Sequence, residues 1–378
     1  MKKSLINVKI GIIITAGVII AIAIAGIFAA DLSSQPSITQ NEKIGLIVNS
    51  PSNEVTLEEL DDIYSEASSA GVGRNNLYLF WNLIEPEKRN FDWKQSDILM
   101  SLNKKNNFKV TLYFSIINGN TLGPFPAWIG KPSLNSISEE NLVNVLDAIL
   151  SRYYIIDTVI IAGDTDSHFR YNEPNIPVYK ELFNGVYNKL KEKHPQVKFG
   201  NSFSLHGVIN KDLSHIVKEL AVGDFAAFSY FPVDSLNEIN KTPQDARKDL
   251  NVIFDLIPSE KPIGIFEIGW STDNFVNGNK KDQSDFVNMV FDFYENNESK
   301  VEFVTWYRQY DKLEGTCEVN PETVEGKISI GDPSGMGSSE YVAERLSHFI
   351  CSAGLIETNG NHKPAWDEFS REVQMFQN

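Results

Sequence analysis

The sequence is poor in the residues from which metal centres and nucleotide sites are built. It carries two cysteines and six histidines in 378 residues, and no Cys/His group has zinc-site spacing. No G-x-G-x-x-G turn follows the first apolar strand, which argues against a dinucleotide fold. Basic residues are scarce beside acidic ones, 34 against 50, for a net charge of −16. Such a chain lacks the basic surface that nucleic-acid binding requires. Low-complexity tracts and internal repeats are also absent. What remains is a globular composition, 42% apolar and 11% aromatic, long enough for one large domain.

Charge is missing altogether from one stretch. After Lys2, Lys3 and Lys9 no charged residue occurs until Asp31, and Ile10 to Ala30 form an uncharged, largely apolar run of 21 residues. About 20 such residues cross a bilayer as a helix, and the preceding lysines keep the N-terminus in the cytoplasm. The alternative is a cleaved signal peptide, whose apolar region is usually shorter and ends in an Ala-x-Ala type site; Phe28 interrupts that pattern before Asp31. Either route exports the remainder. The expected organisation is a basic N-terminus over 1–9, a transmembrane anchor or signal peptide over 10–30, a linker over 31–42 and one domain over 43–378. Outside the cell, Cys317 and Cys351 either pair as a disulfide or remain two thiols.

From Lys43 onward the pattern alternates. Strands are predicted at Lys43–Val48, Asn76–Trp81, Lys109–Ser115, Asp157–Gly163, Val197–Phe203, Asp224–Tyr230, Pro262–Glu267 and Val301–Trp306. Helices are predicted at Leu57–Ala70, Lys94–Lys105, Ser138–Arg152, Val178–Lys193, Lys211–Leu220, Pro243–Phe254, Gln283–Asn296 and Ser338–Cys351, with a closing helix over Lys363–Gln377. Eight strand–helix pairs imply a parallel sheet closed into a (β/α)8 TIM barrel; an open doubly wound sheet is the alternative. In a barrel the chemistry sits at the C-terminal strand ends. Those ends read Trp81-Asn82, Ser115, Asp164, Asn201, Tyr230, Glu267 and Trp306, a set of carboxylates, amides and aromatics that suits sugars and the positive charge of a glycosidic transition state.

Four stretches carry a family resemblance. Trp81-Asn82-Leu83-Ile84-Glu85-Pro86 with Phe91-Asp92-Trp93, Ile265-Phe266-Glu267-Ile268-Gly269-Trp270, Val304-Thr305-Trp306, and Gly354-Leu355 through Lys363-Pro364-Ala365-Trp366 resemble the retaining glycoside hydrolases built on (β/α)8 barrels, of β-galactosidase, endo-galactanase and cellulase type. Ser229-Tyr230-Phe231-Pro232 is similar to the sixth strand of endo-galactanases. The resemblance implies Glu267 as nucleophile and Asp164 as general acid/base. It implies Tyr230 as hydrogen-bond partner of Glu267, and Trp81, Asn82, Asn201, Trp270 and Trp306 against the sugar. No cofactor and no metal are implied. The chain departs from the family at one point. Where members carry Asn-Glu it has Gly163-Asp164, which sets the proton donor back by one C–C bond, about 1.5 Å; Asp166 is a candidate stand-in. The expected function is an exported, membrane-anchored hydrolase of β-glycosidic bonds in oligo- or polysaccharides, acting by retaining double displacement. The alternative is a catalytically impaired barrel that serves as a glycan-binding or structural surface protein.

Overall fold

The computed structural model of the chain describes residues 39–131, 133–313, 317 and 340–376. The apolar run 10–30 and most of the linker 31–42 lie outside the described residues. Among the described residues no helix is long and apolar enough to cross a membrane.

Eight strands form the barrel: β1 (Asn41–Leu46), β2 (Val72–Tyr78), β3 (Lys109–Asn118), β4 (Ile156–Gly163), β5 (Lys198–Ser204), β6 (Phe225–Tyr230), β7 (Ile263–Ile268) and β8 (Val301–Trp306). Each pairs in parallel with its neighbours in chain order, and β8 returns to β1, so the sheet has no open edge within the barrel. This excludes the open doubly wound alternative. Seven of the strand positions match the alternation of the sequence to within three residues at either end. The second strand is shifted: Asn76–Trp81 was the expectation, whereas β2 starts at Val72, just after the Gly71 turn with φ 92°. Trp81 instead opens a short helix, Trp81–Ile84. The helix expected over Lys211–Leu220 is two helices, Leu205–Lys211 and Ser214–Leu220. They break at Asp212, whose left-handed φ of 53° no helix interior accommodates.

The helices begin where the chain offers caps. Thr56 and Glu59 form a reciprocal capping box before Leu57–Ser69. Ser138 accepts the Asn141 amide ahead of Glu139–Arg152, and Thr242 precedes Pro243 at the start of Pro243–Leu256.

Alternation of side chains across each strand divides the core in two. Outward residues pack under the helices. Inward residues fill the lumen, where Tyr113, Ile160, Phe225, Ala227, Phe266 and Phe303 form one buried cluster with Tyr78 against it. Gly264 leaves the space that Phe303 occupies, since a Cβ there would lie 2.4 Å from its ring. Below this layer Arg74 makes a two-pronged ion pair with Asp157 at 2.6 and 2.7 Å. Its guanidinium also lies 5.3 Å from the Phe303 ring centre. Above it, Asn76 donates to the Phe266 carbonyl at 2.6 Å and accepts from Thr305 at 3.2 Å. The lumen is therefore a solid floor under the C-terminal strand ends. Phe303→Ala is expected to lower unfolding free energy by about 3–5 kcal/mol, the cost of a large aromatic lost from a close-packed core. Urea unfolding measures it, and a loss under 1 kcal/mol would show that the lumen collapses freely.

Candidate active site

Glu267 reaches the lumen because β7 carries one extra residue. Phe228 of β6 faces Ile265, and the next residue, Ser229, faces Glu267; the pairing with β8 shows the same slip. Phe266 is thus the added residue of a β-bulge. Without it Glu267 would share the outward side of Ile263 and Ile265. With it Phe266 and Glu267 both face the lumen, one in the aromatic floor and one above it. A second slip in β4, between Ile160 and Ala162, and two extra residues in β3 before Ile117 distort the wall where Asp164 emerges.

Asp164 follows β4 in the left-handed conformation, φ 47° and ψ 47°, which Asp tolerates better than most residues. Its amide donates to Ser202 on β5 at 3.2 Å, and its carboxylate accepts from Ser229 on β6 at 3.0 Å. Asp164 and Glu267 line one pocket of about 200 Å³ together with Tyr78, Phe80, Tyr113, Asn118, Ser202 and Phe266. Gly163 also belongs to this wall. A Cβ at 163 would lie 2.0 Å from the Tyr113 hydroxyl, so that hydroxyl, which donates to Asn118 at 3.0 Å, fills the place of any side chain there.

The two carboxyl groups feel each other. Burial pushes Glu267 up to about 7; the Tyr78 hydroxyl that donates to it and the Arg308 charge pull it down, while the Asp164 charge pushes it up. Burial likewise raises Asp164, opposed by Ser229. Glu267 has a hydroxyl donor and a cation supporting its ionised form, and Asp164 a single hydroxyl. Burial thus holds both carboxyl groups above the usual carboxylate range, and the Asp164 charge adds to the rise at Glu267. Asp166 is fully buried behind them. One oxygen accepts the Ser204 amide at 2.8 Å and the other has no partner among the described residues. Burial and the Asp164 charge push it up to about 7. It does not line the pocket.

The remaining candidates from the sequence are placed elsewhere, for one reason: they occupy the outward parity of their strands or pack into the wall. Asn201 accepts from Tyr179 at 2.5 Å and donates to the Leu220 carbonyl, both on surrounding helices. Tyr230 donates to Asp249 of the helix Pro243–Leu256 at 2.7 Å, not to Glu267. Trp270 and Trp306 are buried against Phe286 of the helix Lys280–Asn297. Trp81 is buried too, donating to Glu85 at 2.8 Å amid Phe114, Phe125 and Trp128. Asn82 follows it in the same short helix and is not among the residues lining the pocket. Cys317 and Cys351 are joined in a disulfide.

Sequence reasoning passed over the residues that surround the carboxylates instead. Tyr78 and Tyr113 lie at inward positions of β2 and β3, each two residues from a buried polar residue, Asn76 and Thr111. The alternation that places Asn76 inward would have found Tyr78. Arg308, just past Trp306, acts electrostatically on Glu267, and both of them act on Tyr307. Arg308 adopts φ 75°. Among the described residues no group of three or more His, Cys, Asp or Glu could hold a metal ion.

Because its carboxyl binds a proton more tightly when folded, Glu267 costs stability once ionised. Between about 4.5, its ordinary value, and about 7 the folded chain holds a proton that the unfolded chain has released, so stability falls as pH rises through that window. Glu267→Gln removes this dependence. The variant is expected to match the wild type near pH 4 and to exceed it by roughly 3 kcal/mol at pH 8. Denaturant unfolding across pH 4–8 measures the difference; a constant one would mean that Glu267 is not buried in its ionised form.

No protein-family model and no curated protein sequence matches the chain. Solved structures do. A GH5_18 protein from Bifidobacterium longum subsp. longum ATCC 55813 superposes with a TM-score of 0.62 at 12% identity, covering 89% of this chain and 79% of that one; a variant of it is known in complex with Manb1-4GlcNAc. A family 39 glycoside hydrolase from Bacteroides cellulosilyticus WH2 gives a TM-score of 0.56 at 15% identity, over 90% of this chain and 64% of that one. Xylanase 10B from Thermotoga maritima gives 0.52 at 16% identity, over 88% and 94%. At such identities the likeness is one of fold, and the chain shares the closed parallel barrel of these glycoside hydrolases.

Proposed function

We propose that the protein is a glycoside hydrolase that cleaves β-glycosidic bonds with retention of configuration. One observation carries this reading: two buried, mutually coupled carboxyl groups from β7 and the end of β4 face a single small pocket at the C-terminal end of the barrel. Pockets for drug-sized ligands span about 300–1,000 Å³, so one of about 200 Å³ suits a single sugar ring. The fold shared with known glycoside hydrolases agrees with it, although fold by itself does not fix activity.

The two groups divide the work by their surroundings. Glu267, ionised beside the Tyr78 hydroxyl and the Arg308 charge, attacks the anomeric carbon. The bond to the glycosidic oxygen breaks as the Asp164 carboxyl passes its proton to that oxygen, leaving a glycosyl ester on Glu267. Asp164, now a carboxylate, takes a proton from water as the water oxygen attacks the same carbon and frees Glu267. Ser229 and Ser202 hold Asp164 by its carboxylate and its backbone amide, which fixes the shorter arm of Asp relative to Glu. The shorter arm favours a second reading, in which the pocket binds a glycan without cleaving it. The lysines before the apolar run at 10–30 support an exported barrel tethered at the membrane, with oligo- or polysaccharide at the cell surface as substrate.

Incubating the wild type with a panel of aryl β-glycosides and β-linked oligosaccharides tests the reading. Glu267→Gln is expected to abolish turnover, and Asp164→Ala to slow it by 10²–10⁴-fold, the contribution typical of a general acid/base. The first product anomer, followed by proton NMR, is expected to be β. Activity that survives Glu267→Gln would remove Glu267 from the mechanism, and glycan binding with no product from the wild type would establish the second reading.

A further inference from the structure

We infer that Asn118, at the end of β3, is a substrate-reading residue whose side-chain amide donates to the 2-hydroxyl of the sugar seated between Glu267 and Asp164. This deepens the proposed function and rests on its reading of the pocket as a sugar site.

Asn118 lines the pocket together with Glu267 and Asp164, and backbone bonds fix its place there. It pairs with Gly163 in the register between β3 and β4, one residue before Asp164. The Gly119 amide that follows it donates to the Gly163 carbonyl at 3.1 Å. On its other side β3 folds back into a two-residue strand, Thr121–Leu122, with Thr121 opposite Asn118. The Thr121 hydroxyl donates to the Asn118 backbone carbonyl at 3.0 Å. A residue held from both flanks presents its side chain from a rigid wall.

The side chain is oriented as well. Its Oδ1 accepts from the Tyr113 hydroxyl at 3.0 Å, which leaves Nδ2, with two N–H donors, as the open end. Asn118 is exposed, and its Nδ2 donates to no acceptor among the described residues. The hydroxyls that line the pocket already serve an acid or its neighbour. Tyr78 donates to Glu267, Tyr113 to Asn118, and Ser202 accepts the Asp164 amide. Gly163 brings no side chain, because the Tyr113 hydroxyl stands where its Cβ would be. An amide donor beside Asp164 therefore comes from β3 and not from β4.

Chemistry selects the group it meets. Glu267 works on the anomeric carbon and Asp164 on the glycosidic oxygen. The ring atoms bonded to that carbon are the ring oxygen and carbon 2. Positive charge spreads onto the ring oxygen in the oxocarbenium-like transition state, so an N–H donor there would oppose the reaction. The 2-hydroxyl accepts such a donor at its oxygen and keeps its own proton for a carboxylate. Hydrogen bonds at this hydroxyl strengthen as the transition state forms, and Oδ1 held by Tyr113 means that little side-chain freedom is lost on binding.

The test compares aryl β-glucoside, β-galactoside and β-mannoside with their 2-deoxy analogues, using the full chain with and without Asn118→Ala. The substitution is expected to lower kcat/KM on the 2-hydroxy substrates about tenfold, the upper end for one neutral hydrogen bond, and on the 2-deoxy substrates by less than about twofold. Comparing variant with wild type on each substrate removes the intrinsic difference in reactivity between the two classes. Asn118→Ser, too short to reach the sugar, is expected to give the same pattern, and thermal melting shows which variants are folded. A purely structural role, acting through Tyr113, would lower both classes alike. A loss on the 2-deoxy substrates as large as on the 2-hydroxy ones, or no loss on either, would overturn the inference and leave the hydrolase reading standing. If the wild type turns over none of these glycosides, the hydrolase reading fails and the inference is read from binding. Isothermal titration with the methyl β-glycosides and their 2-deoxy analogues is then expected to show about tenfold tighter binding of the hydroxyl form, a ratio that Asn118→Ala brings close to one. Equal binding of the two forms, or binding of neither, would overturn the inference.

Discussion

The slip in β7 governs the site, because a strand allots its side chains to alternate faces and Glu267 falls on the wrong one without it. One added residue, Phe266, turns the carboxylate from the helix layer into the lumen and supplies an aromatic ring to the floor beneath it. Everything around Glu267 depends on that turn. Tyr78, three strands away across the barrel, meets the carboxylate, and Asp164 comes within electrostatic reach. Bulges commonly re-aim a side chain beside a functional site at the cost of local ladder bonds; here the lost regularity is made good by Asn76, which donates to the Phe266 carbonyl.

A rigid floor and a charged rim then act together. The lumen is closed by aromatic rings and by the Arg74–Asp157 pair, so nothing beneath the pocket has room to move when charge develops above it. Sites built on strands hold their groups more exactly than sites on loops. Glu267 sits within a strand, and Asp164 is the first residue beyond one, pinned from two neighbouring strands by Ser202 and Ser229. The two acids inherit the stiffness of the barrel wall while being raised in proton affinity by the same enclosure.

The barrel was legible in the sequence because its strands are short apolar runs separated by amphipathic helices, and that signal survives errors of a few residues at each end. Glu267 and Asp164 were legible as carboxylates at the ends of such runs. The aromatic and amide partners were not. Tyr230 and Trp306 stand next to the inward Ser229 and Thr305, and a reading that stops at the last residue of a strand cannot tell which parity faces the lumen. Register settles parity, and bulges alter register without leaving a mark in composition. The resemblance to retaining hydrolases carried the aromatic platforms onto Trp270 and Trp306, whereas in this chain both rings stabilise the junction between barrel and helix by packing on Phe286. Tyr78 was within reach of the sequence, through its spacing from Asn76; Arg308 was not, since a left-handed arginine after a strand has no local signature.

Gly163 and Tyr113 have a bearing on how this site changes across related chains. The phenol of one residue stands where the side chain of the other would be, so the two positions cannot vary independently. A relative with Asn before its acid must carry a small residue in place of Tyr113, and a relative with tyrosine there must keep glycine. Covariation of this pair would sort related chains into two lineages of pocket wall, one with an amide supplied by the fourth strand and one with a hydroxyl supplied by the third.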